Sequence, residues 1–391
     1  MPPPLAVYLH LPWCVRKCPY CDFNSHAQAG PLAEDAYVDA LLSDLRGDLD
    51  LAAGRMAVSV FIGGGTPSLF SPAAIARLLA GLRAVLPLAP GAEITLEANP
   101  GTVERGRFEG YAEAGVNRVS LGAQSFSAPA LAALGRIHSP GDVEAAVADL
   151  RRAGLENFNL DLMYALPGQD LAGAVADVER AIALGPAHLS HYQLTLEPGT
   201  AFFHRPPALP GDDLALDMQL ACQERIAAAG FTQYEVSAYA RPGRECRHNL
   251  AYWRFEDYLG IGAGAHGKAT TAAGVVRTER PRMPREYLAQ VAAGQAGSRR
   301  IVPRAELPFE FMLNALRLCS GFALTHFEQA TGLPAATVAA TIESLAGRGL
   351  LEPRPGAQGA QFRPTELGFR FLNDLQAAFL PGEPGTASEV A

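Results

Sequence analysis

Over the first 240 residues, short apolar runs bounded by turn residues alternate with longer amphipathic stretches. The apolar runs cover residues 7–9, 58–62, 94–98, 119–122, 158–163 and 189–194, each too short for a buried helix. Between them, residues 37–49, 73–85, 142–153 and 171–183 repeat apolar positions with helical spacing. Strand followed by helix, repeated in this way, predicts an α/β domain with a parallel sheet and helices on its outer face. An open doubly wound sheet and a full or partial (β/α) barrel both satisfy the pattern. Most of the runs end in chemically loaded segments: Gly63-Gly64-Gly65-Thr66, Glu97-Ala98-Asn99, Gln124-Ser125, Asp161 and Gln193-Leu194-Thr195. Either architecture places its functional site at those carboxyl ends.

Prolines 206, 207 and 210 break the alternation, and residues 246–267 are rich in Gly, His and aromatic side chains. Residues 277–308, heavy in Arg and Pro, read as a connector. Helical patterns return at 309–318, 324–330 and 335–348, followed by a short hairpin (350–352 with 361–363) and a last helix over 366–379. That order predicts a small winged-helix-like α+β domain. The expected division is 1–240 for the barrel, 241–305 for the Gly/His/aromatic segment and connector, 306–380 for the C-terminal domain and 381–391 for a flexible tail. Residues 301–391 hold six Arg against nine acidic residues, so the winged unit is expected to pack or dock rather than bind DNA.

Composition narrows the class. Of 391 residues, 49% are hydrophobic and 18% charged, enough apolar material for a sizeable core. A formal net charge of -8 argues against a life on phosphate backbones, and no nucleic-acid partner is expected. No apolar run approaches the roughly 20 residues that span a bilayer, and the N-terminus has no signal-like pattern; a cytoplasmic protein is expected. Three of the six cysteines crowd into one short segment, while Cys222, Cys246 and Cys319 are scattered. A reducing compartment with one metal site fits that distribution better than a disulfide framework.

The crowded segment is Cys14-Val-Arg16-Lys17-Cys18-Pro-Tyr20-Cys21. Three thiolates on one tight loop can occupy three corners of a four-iron, four-sulfur cubane. The fourth iron is then open to the amino and carboxylate groups of a methionine moiety. An electron passed to a sulfonium held there can cleave its C–S bond to give a 5′-deoxyadenosyl radical. Arg16 and Lys17 are expected to favour the thiolates. Structural zinc is the competing reading, but it usually takes four ligands in CxxC pairs, and the next cysteine is Cys222. The Gly63–Thr66 run lets backbone approach a ligand closely; a plain β-to-α turn is its bland alternative.

The CxxxCxxC spacing is that of the radical S-adenosylmethionine superfamily. Together with Gly63-Gly-Gly-Thr66-Pro67, Glu97-Ala-Asn99-Pro-Gly101, Leu121-Gly-Ala-Gln124-Ser-Phe126, Leu134-Gly-Arg136-Ile-His138 and Asp161-Leu-Met-Tyr-Ala-Leu-Pro167-Gly168, it resembles the oxygen-independent coproporphyrinogen oxidase family. The resemblance runs from about residue 5 to 380 and is nearest to the HemW-type haem-chaperone branch. It implies a partial (β/α)6-type barrel and a [4Fe-4S] cluster on Cys14, Cys18 and Cys21. It also implies S-adenosylmethionine contacts from Tyr8, Tyr20, Gly64, Gly65, Thr66, Glu97, Gln124, Arg136, Asp161 and Thr195.

Two departures from the family's oxidases bear on activity. They continue the loop with a fourth cysteine where this chain has Phe23, and they extend further ahead of the cluster. His248-Asn249-Leu-Ala-Tyr252-Trp253 is an HNxxYW segment, which the resemblance associates with haem. Imidazole ligates haem iron and aromatic rings stack on porphyrin; an ordinary packed loop is the alternative. His266 lies in a second Gly-rich stretch, read as a structural loop or a cradle for a cofactor edge. The expectation is a haem chaperone without coproporphyrinogen oxidase activity, delivering haem to respiratory-chain apoproteins, some at the membrane, and open to homodimer formation. The alternatives are the oxidative decarboxylase itself and a methyltransferase-like enzyme acting on haem.

Overall fold

A computed structural model describes residues 2–101, 106–355 and 360–381. The six predicted runs appear as strands β1 (Leu5–Leu11), β2 (Ala57–Gly64), β3 (Leu88–Ala98), β4 (Arg118–Gln124), β5 (Phe158–Tyr164) and β6 (His188–Gln193). They pair in parallel in chain order. The predicted helices form at Glu34–Gly47, Pro72–Val85, Pro140–Arg152 and Leu171–Ala183. Their starts follow from local chemistry. Ser71 and Asp170 accept hydrogen bonds from the backbone of Ala74 and Gly173, and Ser139 makes a capping box with Asp142. Ile75, Leu78, Leu79 and Leu82 fall on one face of their helix and are buried in the main core with the sheet.

The sheet does not stop at β6. Strands β7 (Thr232–Glu235) and β8 (Ala238–Ala240) extend it antiparallel on that side. On the other side β9 (Asp257–Ile261) lies parallel to β1, so seven strands run in parallel rather than the six expected. Beyond it β10 (His266–Thr271), β11 (Gly274–Glu279) and β12 (Ser298–Ile301) continue antiparallel. The whole order is β12-β11-β10-β9-β1-β2-β3-β4-β5-β6-β8-β7. No hydrogen-bonded pairing joins the two ends among the described residues.

Residues 241–305 therefore build sheet, and 277–308 is no simple connector: it completes β11, then carries a helix (Pro284–Ala292) and β12. Its Arg and Pro content suggested a connector, but Arg277 is half-buried, donates to the Tyr258 hydroxyl at 2.7 Å and pairs with Glu310.

The C-terminal unit holds helices Leu307–Ala315, Leu324–Thr331 and Ala336–Gly347 and a three-stranded sheet of Phe322–Ala323, Gln361–Pro364 and Leu351–Arg354. The expected last helix is split into Glu366–Arg370 and Leu372–Ala377 at Phe371, where ψ rises to 39°. Phe311, Phe327 and Leu375 share a buried cluster with Phe255 and Val275 of the β-sheet region. The unit is thus fastened by apolar packing, with Arg317 donating to Glu235 at 3.0 Å. The tail expected over 381–391 lies outside the described residues apart from Pro381.

Candidate functional site

The cysteine loop hangs from the end of β1. A two-residue strand, Trp13–Cys14, pairs with His26–Ala27 and pinches the intervening chain into a loop. Gln28 N–H donates to the Cys14 carbonyl at 2.8 Å, and Cys21 N–H to that of Cys18 at 3.2 Å. Lys17 donates to the carbonyls of Phe23 and Ser25, both at 3.3 Å, so its charge closes the loop. The three cysteines line one cavity of about 310 Å³ with Tyr20 and Arg136. Three thiols on one short loop match three corners of a cubane cluster, whereas structural zinc usually takes four protein ligands. Burial pushes the Cys14 and Cys21 thiols up, outweighing the help expected from Lys17 at Cys21. Binding iron would have to displace those protons.

The opposite wall is built from strand ends. A Cβ at Gly65 would lie 2.5 Å from the Trp13 carbonyl oxygen, a backbone atom with nowhere to go. Glycine there lets β2 press against the cysteine loop. Thr66 Oγ1 donates to Cys14 Sγ at 3.5 Å and accepts from Asn99 Nδ2 at 2.8 Å. Arg136 donates to Cys18 Sγ at 3.7 Å, to the Gly122 carbonyl at 2.9 Å, and to Asn99. Gln124 sits at φ 66°, in the left-handed region, and its amide oxygen accepts from the buried-side hydroxyl of Tyr192 at 2.9 Å. A non-glycine residue pays roughly 1–2 kcal/mol there, and such strain persists where a site holds a side chain in place.

Two carboxyls complete the wall. Glu97 accepts the Gly64 N–H at 3.0 Å. Burial, reinforced by Asp161 and opposed by that N–H, pushes its carboxyl up to about 8. Asp161 accepts from Ser120 at 3.2 Å and Asn159 at 2.8 Å, and burial raises it too. One arginine facing two shielded carboxyls can take an amino acid's carboxylate on one side and its ammonium or neighbouring hydroxyls on the other.

A raised Glu97 has a consequence for stability. Folded Glu97 keeps its proton where the unfolded chain releases it, so stability falls as pH rises from the ordinary carboxyl range towards about 8. We expect Glu97→Gln to melt a few degrees higher than the parent at pH 8 without ligand. The same change should weaken S-adenosylmethionine binding about tenfold or more. Calorimetry at pH 5 and pH 8 with a ligand titration checks both, and equal affinity in the two proteins would remove Glu97 from the binding wall.

Tyr8 and the HNxxYW segment do not line the cysteine cavity. Tyr8, Tyr252 and Trp253 border a second, open cavity of about 380 Å³, with Phe23, Gly64 and Glu97 shared between the two. Asn249 and His248 face an inner polar cavity of about 210 Å³ with Arg118, Asp161 and His188. His248 is buried, its Nδ1 bonded to Ser59 at 3.2 Å and its Nε2 to the Tyr252 hydroxyl at 2.9 Å. Burial and nearby Arg118 push the imidazole down to about 3, so it stays neutral. Phe61 stacks on it at 5.1 Å. As folded here, His248 offers no free nitrogen to a haem iron.

Residues 8–181 match the Radical SAM superfamily and residues 302–371 the HemN C-terminal domain. The heme chaperone HemW of Escherichia coli is 49% identical over 380 residues, covering 97% of this chain and 98% of that protein. The heme chaperone HemW of Haemophilus influenzae is 45% identical, covering 97% and 99%. This chain belongs to the HemW family. In fold, this HemW-family chain superposes on Escherichia coli coproporphyrinogen III oxidase (HemN) with a TM-score of 0.80 at 23% identity, covering 97% of this chain and 90% of that one.

The HemW-family site gives a role to two residues to which the sequence pattern assigned none. Asn99 ties Thr66 to Arg136, and Tyr192 holds Gln124. Asn99 closes a loaded strand end and was open to detection. Tyr192 sits inside an apolar run, where an aromatic is ordinary core. Thr195 lines the cavity but is exposed and donates to Glu197 at 2.7 Å. Among the described residues, no helix is long and apolar enough to cross a membrane.

Proposed function

We propose that this chain is a haem chaperone that binds haem and hands it to respiratory-chain apoproteins. It carries a [4Fe-4S] cluster on Cys14, Cys18 and Cys21, with S-adenosylmethionine at the open iron. The observation that carries the reading is the full-length match to heme chaperones at 49% identity. The site supports it: three free thiols and a wall of Arg136, Glu97 and Asp161 meet in one cavity. When bound, the cluster and S-adenosylmethionine supply reductive radical chemistry. The chain's own part is to hold both. Arg136 is placed for the ligand's carboxylate, Glu97 and Asp161 for its ammonium and hydroxyls, and Tyr20, Gly64, Gly65, Thr66 and Gln124 for its flanks. The HNxxYW segment supplies aromatic surface through Tyr252 and Trp253 beside that wall. The same proposal places the protein in the cytoplasm, with some recipients at the membrane and a homodimer as the assembly to test.

Haem added to the purified full-length chain should produce a Soret band that saturates at a single haem per chain. Absence of any such band would end the chaperone reading. Anaerobic assay with S-adenosylmethionine and a reductant should show no conversion of coproporphyrinogen III to protoporphyrinogen IX. Turnover would make the chain a decarboxylase, and 5′-deoxyadenosine released only with haem present would make it an enzyme acting on haem.

A further inference from the structure

The second cavity has aromatic walls and is lined by His10 and His266, with His248 and His26 nearby, and these histidines differ in what their nitrogens already do. His10 donates through Nε2 to the Asn24 carbonyl at 2.9 Å and accepts the Tyr8 hydroxyl at Nδ1 at 2.9 Å. His248 is engaged at both nitrogens and buried beneath Tyr252. His26 is bonded to the Arg282 carbonyl at 3.3 Å and does not line the cavity. His266 lines it, is exposed, and has no hydrogen-bond partner for its ring among the described residues.

Its backbone is tied into the sheet. His266 opens β10, and a Cβ at Gly260 would lie 1.9 Å from the His266 carbonyl oxygen, so β9 and β10 touch backbone to backbone there. Around the imidazole stand flat rings. Phe23 is 61% exposed at the seam between the two cavities. Trp253 and Tyr258 border the same space, with Tyr252 set edge-on to Tyr258 at 4.5 Å. A large apolar ring left in solvent beside aromatic walls and a free imidazole is suited to a flat, metal-bearing ligand. The cavity is open, so it would cover one face of a porphyrin and leave the other free for transfer.

We infer that His266 is the imidazole that ligates the haem iron, with Phe23, Trp253 and Tyr258 flanking the porphyrin. His248 is a positioning residue that holds Tyr252 from below. The inference rests on the chaperone reading and adds which nitrogen binds the metal. Haem bound there would share Phe23, Gly64 and Glu97 with the cysteine cavity.

The test uses the full-length chain loaded with its cluster, titrated with haem and read by absorption and electron paramagnetic resonance. His266→Ala should lose the imidazole-ligated signature and weaken haem binding on the order of 100-fold, at least the loss a metal's outer-shell partners cause. Added imidazole should restore the signature, and S-adenosylmethionine binding should be unchanged. His248→Asn should retain imidazole ligation at reduced affinity. An unaltered spectrum in His266→Ala, or loss of imidazole ligation in a folded His248→Asn, overturns the assignment while leaving the chaperone reading intact. A parent chain that binds no haem overturns both.

Discussion

Cys18→Ser is expected to leave the chain without its cluster after anaerobic reconstitution. Iron and sulfide content should fall to near the background of a triple-serine variant, and S-adenosylmethionine affinity should drop on the order of 100-fold. A serine hydroxyl is a poor ligand beside a thiolate, and three protein ligands leave no spare. None of the remaining cysteines lines this cavity: Cys222 and Cys246 are buried elsewhere, the latter with its thiol 3.6 Å from Glu93. The loop itself should survive, because its neck is closed by the Trp13–Cys14 and His26–Ala27 pairing and by Lys17. Circular dichroism and melting should therefore stay close to the parent protein without cluster. Cys222→Ser is the control and should keep a full cluster. A Cys18→Ser protein with an intact iron–sulfur complement would refute the assignment of the triad.

The second large effect concerns the strand that flanks β1. Asp257 begins β9 and is fully buried; it accepts from Arg55 at 2.7 Å, from Lys268 at 3.0 Å, and from the Thr270 amide and hydroxyl, both at 2.9 Å. Lys268 is equally buried, donates to the Phe255 carbonyl at 2.7 Å and lies over the Phe255 ring at 4.1 Å. Burial pushes the Lys268 ammonium down, and Asp257 is the main charge opposing that push. Asp257→Ala would leave the ammonium alone in the core, at a cost of about 3–5 kcal/mol. Asp257→Leu combined with Lys268→Met should recover much of it, since neither charge is then stranded.

The pair also carries a pH dependence. Burial alone would raise Asp257, but Lys268, the Thr270 amide and Arg55 together hold its carboxyl below the usual value. Its contribution is therefore present above the ordinary aspartate value of about 4 and is lost as pH falls below it. Denaturant titrations of the parent and both variants between pH 3 and pH 7 check the two effects together. A loss under about 1 kcal/mol in Asp257→Ala would show that the pair contributes little.

The site was readable where chemistry and chain order coincide. The triad Cys14, Cys18 and Cys21 sits in one short segment, and Thr66, Glu97 and Gln124 lie at or just past the ends of apolar runs that predict strands, with Asp161 a lone charge inside one. Those residues do line one cavity. Segment 241–305 misled because Gly, Arg and Pro dilute the alternation that marks a strand. Its first strand, β9, is held on β1 by a partner far away in sequence, where Leu5 pairs with Asp257, and β10, β11 and β12 add to that edge in turn. Gln124's left-handed backbone was equally invisible, since nothing local demands it.

From its sequence alone the chain determined the alternation of strand and helix, the three thiols on one loop and the polar residues at the strand ends. These depend on residues within a few positions of one another, where side-chain type and spacing act directly on the backbone. Only the tertiary structure decided which histidine nitrogens remain free. Ser59 reaches His248 from 189 residues away and occupies one of its ring nitrogens, while His266 is carried to the rim of an open cavity. A ring's availability depends on what packs against it: Tyr252 of the same helix takes one nitrogen of His248, and Ser59 of a distant strand takes the other.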